Sequence, residues 1–403
     1  MVNKQEGNLP EAVRLLVRWK SGGSHLDDLL EQAQLGHTRW LVMEAFRQWL
    51  VVKGLLEPRL RRQPRPVVEA LLRLATTELL LRDEPAHPQV VHNAVEVAGE
   101  LGLSRPEAGF VNAVLRGILR EPGSLTLPDV RETHPGWLVE RWIRQFGPEQ
   151  TRQLLAWNQS RPVLYLHAES GPEYAEATEW AGFFRIRPGA FERAEADLRA
   201  GRVYVQDPFT IRPVDLLEPQ PGERILDLCA APGGKTRLIA SRMKGKGQLL
   251  AVDRPGPRQQ RLEENLARLH PGVAQVLASR IEDIAPGQLP GGLADAALID
   301  VPCSNTGVIQ RRPDVKLRLQ EGDIPRIADY QLLLLEKAAA LVRPGGRLVY
   351  STCSLEAEEN RDLVKRFCGG RPDWMLSGEA VSLPWLCGHD GGGAFLLTKG
   401  PCR

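Results

Sequence analysis

Residues 225–236 read Ile225-Leu226-Asp227-Leu228-Cys229-Ala230-Ala231-Pro232-Gly233-Gly234-Lys235-Thr236, and this stretch decides the fold. The first four residues are a short, mostly apolar run of strand length. The middle is small and turn-forming, and from Gly233 to Ser241 the pattern is helical. The pattern repeats downstream. A strand at 248–253 precedes a helix at 259–269, a short apolar run follows at 296–300, and a helix at 328–341, ended by Gly345-Gly346, leads to a strand at 347–352. A closing strand falls at 394–399. Strands joined by crossover helices specify a parallel, doubly wound, Rossmann-like sheet.

Working outward, residues 1 to about 125 carry apolar residues at helical spacing, as in 67–81, 90–98 and 109–119. Pro85, Pro88 and Pro106 punctuate the run, which reads as an all-α bundle. Pro, Gly and Ser dominate 121–129, a linker composition. A helical stretch around Trp137 to Asn158 and a β-rich piece from about Val163 give 130–204 an α+β character. Three domains are therefore expected, at 1–125, 130–204 and 205–403. Seven of the nine tryptophans lie before residue 181, so the last domain has little indole surface for stacking bases.

With 403 residues, 42% hydrophobic and 25% charged, the chain is of soluble globular type. No run approaches the roughly 18–20 apolar residues of a membrane span. The start, 1–7, is polar, and a cytoplasmic location is expected. A net charge of +2 is only a weak prompt towards nucleic acid. Arg59, Arg61, Arg62 and Arg65 form a local cluster that reads equally as a solvated loop or as a phosphate contact. The six cysteines (229, 303, 353, 368, 387 and 402) form no CxxC pair, so no metal is expected, and disulfides are not.

Ligands of such a sheet sit at the carboxyl ends of its strands. At the first end, Cys229 to Thr236 offers small residues for close approach and a helix N-terminus suited to a carboxylate such as methionine's. The spacing is neither GxGxxG nor a P-loop. Asp253 ends the next strand, about 20 residues after the glycines, where an acid receives ribose hydroxyls or caps the following helix. Asp300-Val301-Pro302-Cys303 ends the third, and Ser351-Thr352-Cys353-Ser354 the fourth. Two thiols and a carboxylate at neighbouring strand ends suit attack on a pyrimidine. A thiolate adding to carbon 6 makes carbon 5 able to attack a methyl sulfonium, and Asp300 can bond the ring nitrogen where charge develops. A second thiol or a water can then assist loss of the carbon 5 proton and departure of the thiolate.

Segments 227–236, 300–307 (DVPCSNTG), 351–354 (STCS), Glu358-Glu359-Asn360 and 311–316 (RRPDVK) resemble the RsmB (Sun/Fmu) family of bacterial small-subunit ribosomal RNA cytosine-C5 methyltransferases, within the wider Sun group. Leu72-Arg73-Leu74, His92 to Glu96 and Val111 to Arg116 look like the NusB-type RNA-binding helical domain that this family carries. The resemblance implies an S-adenosylmethionine-dependent enzyme. It places Cys229, Ala230, Ala231, Pro232, Gly233, Gly234, Lys235, Asp253 and Asp300 on the cofactor, has Cys353 attack cytosine, and has Cys303 help release product. It implies RNA as partner, 16S ribosomal RNA foremost, and a monomer without a membrane role. Two departures stand out. Arg280 occupies the place of an adenine-contacting Asp, with Glu282 or Asp283 as substitutes, and Asp207-Pro208-Phe209-Thr210-Ile211 replaces the usual D-x-S-A-Q. Alternatives are transfer RNA or another ribosomal cytosine as target, or an RNA-binding scaffold that has lost activity. DNA cytosine enzymes fit less well, because they attack through the Pro-Cys cysteine and do not require Thr352-Cys353.

Overall fold

The structure, a computed structural model, describes residues 8–22, 26–30, 36–269, 274–289 and 291–401. The polar start at 1–7 and Cys402 lie outside the described residues. The chain forms two compact units, Met1–Ser160 with Ile309–Arg318, and Arg161–Val308 with Leu319–Arg403. The expected linker at 121–129 thus falls inside the first unit, and 161–204 counts with the second. Among the described residues no helix is long and apolar enough to cross a membrane.

In the first unit the helices are Leu9–Lys20 (α1), Leu26–Leu30 (α2), Gly36–Arg47 (α3), Trp49–Leu56 (α4), Pro66–Leu81 (α5), His87–Glu100 (α6), Arg105–Leu119 (α7), Gly136–Phe146 (α8) and Pro148–Gln159 (α9). Helix α5 is the hub, buried at every residue from Val68 to Leu80. It opens on Pro66, whose fixed φ suits a first helical position. Its buried charges are paired: Glu69 accepts from Lys20 Nζ at 2.7 Å and from Arg73 Nε at 3.0 Å, and the Arg73 guanidinium lies 4.1 Å from the centre of the Trp49 ring. Leu71, Leu72 and Leu74 are fully buried, and truncating any one to alanine would cost about 2–5 kcal/mol. The single helical stretch expected around 137–158 is two helices. Gly147, at φ +81°, separates α8 from α9, because a right-handed helix cannot continue through that conformation.

The second unit begins with Tyr165–His167 (β1), Ala175–Ala177 (β2), Phe183–Ile186 (β3), the helix Phe191–Arg199 (α10) and Tyr204–Val205 (β4). These strands form an antiparallel sheet in the order β2-β3-β1-β4. Next come Ile211–Leu217 (α11), Arg224–Leu228 (β5), Gly234–Met243 (α12), Gln248–Asp253 (β6), Pro257–Leu269 (α13), Gln275–Ala278 (β7) and Ala294–Asp300 (β8). The chain then supplies 309–318 to the first unit, including Val315–Arg318 (α14). There the buried Lys316 donates to Arg47 O at 2.8 Å and to Thr133 O at 2.7 Å, while Arg47 Nη2 donates to Gln310 O at 2.9 Å. The segment RRPDVK, read beside the catalytic motifs in the sequence, is therefore part of the helical unit.

Asp323–Ala340 (α15), Val342–Thr352 (β9), Arg361–Gly370 (α16), Trp374–Ser382 (β10), Pro384–Cys387 (α17) and Gly392–Lys399 (β11) complete the second unit. Its seven-stranded sheet runs β10-β11-β9-β8-β5-β6-β7. The pairs among β5, β6, β7, β8 and β9 are parallel, whereas β11 pairs antiparallel with β9 and with β10. The sheet is therefore mixed at one edge, where the sequence suggested parallel strands throughout. Ile225, Leu298 and Val349 pack with α11 and α12 on one face; Leu226, Ile299 and Tyr350 pack with α15 and α16 on the other. Burial on both faces explains the near-continuous apolar runs. Gly345 and Gly346 do not end α15. They lie inside β9, where Gly345 takes φ +72° and a Cβ on Gly346 would stand 2.7 Å from Asp295 O. The pairing with β8 shifts register there.

Candidate active site

The strand order β9-β8-β5-β6 turns four remote sequence positions into neighbours. Asp300 pairs with Ser351 across β8 and β9, and Leu228 pairs with both Ile299 and Val252. Adjacent strands are about 4.8 Å apart, so Cys353, Asp300, the 229–235 loop and Asp253 share one edge about 14 Å long.

The two cysteines are in contact. Cys303 Sγ lies 2.9 Å from Cys353 Sγ, and both side chains are half-buried. Cys353 Sγ also donates to Asn305 Oδ1 at 3.2 Å, and Asn305 Nδ2 donates to Cys303 O at 2.8 Å. Asn305 sits at φ +62°, a left-handed conformation that asparagine tolerates better than most residues. The bond to Cys353 and burial push the Cys303 thiol well above its ordinary range, with Cys353 and Glu359 charge adding to the effect. Gly307 is obligatory in this turn: a Cβ there would stand 2.3 Å from Gly391 O and 2.9 Å from Cys353 O.

Behind the thiols, one buried carboxylate holds both cysteine loops. Glu359 accepts from Ser304 N at 2.9 Å, Gln331 Nε2 at 2.8 Å and Ser354 Oγ at 2.6 Å. Burial raises its pKa against the pull of those bonds. Asn360 accepts from Thr352 Oγ1 at 2.8 Å and donates to Ser354 O and Glu356 O, each at 2.9 Å. In the sequence Glu359 and Asn360 are no more than part of the family resemblance. Their work as a clamp depends on the fold, because a carboxylate seven residues past a strand is ordinary until its partners are known.

Lys235 Nζ pairs with Asp300 Oδ2 at 2.8 Å. Burial alone would depress its ammonium, but Asp300, aided by Asp227 and Cys353, holds it above the usual lysine value. Asp227, fully buried, accepts from Thr236 Oγ1 at 2.5 Å, and burial pushes its carboxyl up to about 7. Burial, with Asp253 and Asp300 nearby, drives the Cys229 thiol far upward, which favours its neutral form.

The 229–235 loop is fastened from several directions. Asp253 Oδ2 accepts from Ala231 N at 2.9 Å, Arg258 Nη2 donates to Ala231 O at 3.0 Å, and Asn265 Nδ2 donates to Pro232 O at 2.9 Å. Helix α13 starts at Pro257, so Asp253 is not its cap. Gly233 (φ +104°) would place a Cβ 3.0 Å from Leu262 Cδ1, and Gly234 one 3.1 Å from Gln206 Nε2. The φ of Gly233 favours glycine, and both glycines bring the backbone near its neighbours while presenting the N-terminus of α12 to the strand edge. The donor set fits an amino-acid carboxylate at the helix start and a ribose diol beside Asp253.

The two departures also have structural answers. Arg280 Nη2 and Tyr330 Oη both donate to Glu282 Oε1, at 2.8 and 2.7 Å, which fixes that carboxylate past the end of β7. Asp283 is exposed. Asp207 caps Phe209 N at 2.9 Å and accepts from Asp390 N, while buried Phe209 covers Gly392. Among the described residues no cluster of His, Cys, Asp and Glu is fit to hold a metal ion.

The chain is similar to known proteins in both of its parts. The family model "16S rRNA methyltransferase RsmB/F" matches residues 214–385, and the NusB family model matches 11–120. The ribosomal RNA small subunit methyltransferase B proteins of Salmonella typhi and Salmonella newport (strain SL254) are each 34% identical over 357 residues, covering 82% of this chain and 80% of theirs. The crystal structure of PH0851 superposes with a TM-score of 0.82 at 23% identity, over 97% of this chain and 99% of that one. The structure of NSun6 from Pyrococcus horikoshii with SFG gives 0.57 at 20% identity, over 66% of this chain and 98% of that one. The 34% identity over 82% of the chain, with the family-model match, establishes that the chain belongs to the ribosomal RNA small subunit methyltransferase B family.

Proposed function

We propose that this methyltransferase methylates carbon 5 of a cytosine in 16S ribosomal RNA through a covalent bond between Cys353 and the base. The observation that carries this reading is the 2.9 Å contact of Cys303 and Cys353 beside the Lys235–Asp300 pair. S-adenosylmethionine is the cofactor, and when bound it supplies a methyl group on a cationic sulfur. The residues that would hold it are the 229–235 loop with the N-terminus of α12, Asp253, and Asp300.

Cys353 gives up its thiol proton to solvent water, its thiolate adds to carbon 6, and the electron pair moves towards the ring nitrogen. The Lys235–Asp300 pair gives a proton to the ring nitrogen that takes up this charge and takes it back as carbon 5 forms its new bond. Carbon 5 then forms its bond to the methyl group and still carries a proton. Cys303 is kept protonated while a charged Cys353 lies against it. Once Cys353 is bound to carbon, that charge is gone and Cys303 can pass its proton to solvent water. Its thiolate removes the carbon 5 proton, and the returning electron pair expels Cys353.

The test is bisulfite sequencing of 16S RNA incubated with protein and cofactor, alongside calorimetry with S-adenosylmethionine. Protection of a single cytosine supports the reading. Cofactor binding with methylated transfer RNA and untouched 16S RNA would move the target. No binding heat would leave an RNA-binding scaffold.

A further inference from the structure

The groove between α6 and α7 carries chemistry that methyl transfer does not use. Its volume is about 390 Å³, within the range of ligand pockets. Val91, Val95 and Ala108 supply an apolar floor, and His92, Arg105, Asn112 and Arg116 supply the polar rim. None of the described lining residues is acidic. Two segments singled out in the sequence, His92 to Glu96 and Val111 to Arg116, thus meet across one concavity.

Helix α7 is built around it. Arg105, Gly109, Asn112, Arg116 and Arg120 follow at helical spacing and share one face, with Arg105, Arg116 and Arg120 exposed. The face extends about 22 Å from Arg105 to Arg120. Glu107 points elsewhere, accepting from Ser104 N and Oγ at 2.8 Å and from Arg65 at 2.9 Å. Gly109 is a mid-helix glycine, which weakens a helix, and a Cβ there would meet nothing within 4 Å. Core packing does not require it. What its bareness does is keep the groove open.

We propose that this groove holds a single-stranded segment of the substrate RNA. Arg105, Arg116 and Arg120 take phosphates, Asn112 meets a base edge, and an unstacked base or ribose covers Val95 and Ala108. The proposal rests on RNA being the substrate and locates one of its contacts. The arginine cluster at 59–65 is the weaker candidate, since Arg59 is paired with Glu121 and Arg65 with Glu107.

The test uses the full chain and a fluorescein-labelled, 20-nucleotide single-stranded RNA of mixed sequence. Two variants are compared with the parent: Arg105→Glu/Arg116→Glu/Arg120→Glu, and Gly109→Leu. The triple variant should bind more than tenfold more weakly. Its plot of log affinity against log salt should flatten by about 2, because each lost phosphate contact contributes about 0.7. Gly109→Leu should bind about tenfold more weakly with the parental slope and an undiminished melting temperature, since the leucine fills empty groove. Both should keep parental affinity for S-adenosylmethionine. Parental RNA affinity in both variants would overturn the proposal and make the groove a protein-docking face. Loss in the triple variant alone would overturn it too, leaving a charged helix without a groove ligand. If the parent neither binds nor methylates RNA, the functional reading itself falls; if it does both and the groove variants match it, only the groove is wrong.

Discussion

Replacing Glu359 by alanine tests whether the clamp behind the two thiols sets their geometry. The carboxylate receives three hydrogens, from Ser304 N, Gln331 Nε2 and Ser354 Oγ. Two of those donors have other partners: Gln331 Nε2 also reaches Pro302 O at 2.9 Å, and Ser354 Oγ lies 3.0 Å from Ser304 Oγ. The Ser304 N–H is the one stranded outright. At about 1–3 kcal/mol for a stranded buried donor, with partial losses at the other two, the variant should lose about 2–5 kcal/mol. That is within a typical stability of about 5–15 kcal/mol, so the chain should fold and melt earlier. Ser304 and Ser354 directly follow the two cysteines, so freeing them loosens the 2.9 Å sulfur contact. A misplacement of about 1 Å costs on the order of 100-fold in rate, and turnover should fall by that much. Cofactor affinity should stay within about twofold, because the clamp holds thiols and not the glycine loop. Transfer of tritiated methyl to 16S RNA, thermal melting and cofactor calorimetry read the three quantities. Parental turnover and melting in Glu359→Ala would refute the reasoning, as would cofactor affinity that falls in step with turnover.

Three other outcomes are expected. Cys353→Ala should abolish turnover and any protein–RNA adduct, whereas Cys303→Ala should accumulate an adduct that survives a denaturing gel; the reverse pattern would exchange their roles. Lys316, pushed down to about 7 by burial with Arg47 nearby, binds fewer protons folded than unfolded between that pH and about 10.5. Stability of the parent relative to Lys316→Met should therefore rise across that window, by at most about 5 kcal/mol, and a flat difference in melting temperature would show the amine to be charged when folded. Glu282→Ala should weaken S-adenosylmethionine binding by about 1–2 kcal/mol and Asp283→Ala by less, since Arg280 and Tyr330 fix only the first carboxylate; equal affinities in calorimetry would leave the adenine to apolar or backbone contacts.

Much of the catalytic unit was legible in the chain itself. The run from Ile225 to Thr236 specifies strand, turn and helix by local preferences, and the structure has β5, the loop and α12 there. Asp253, Asp300 and Cys353 could be placed at strand ends for the same reason, since a short apolar run ending in a polar residue needs no distant partner to be read. The helical pattern at 67–81 likewise survives as α5, whose all-round burial follows from its being apolar on nearly every face.

Other features depended on which strands and helices become neighbours. Gly345-Gly346 has the composition of a helix stop, and only the pairing of β9 with β8 makes it a strand irregularity. RRPDVK stands next to the catalytic motifs in sequence, yet Lys316 is satisfied by carbonyls of Arg47 and Thr133 in the helical unit. The sulfur contact of Cys303 and Cys353, the Glu359 clamp and the α6–α7 groove each join residues separated by a turn, a helix or a whole crossover. Local sequence determined the elements and their chemistry, because strand and helix preferences act over a few residues. The tertiary structure decided the partners, because hydrogen bonds and burial at long separation are set by strand order and register, which no short stretch encodes.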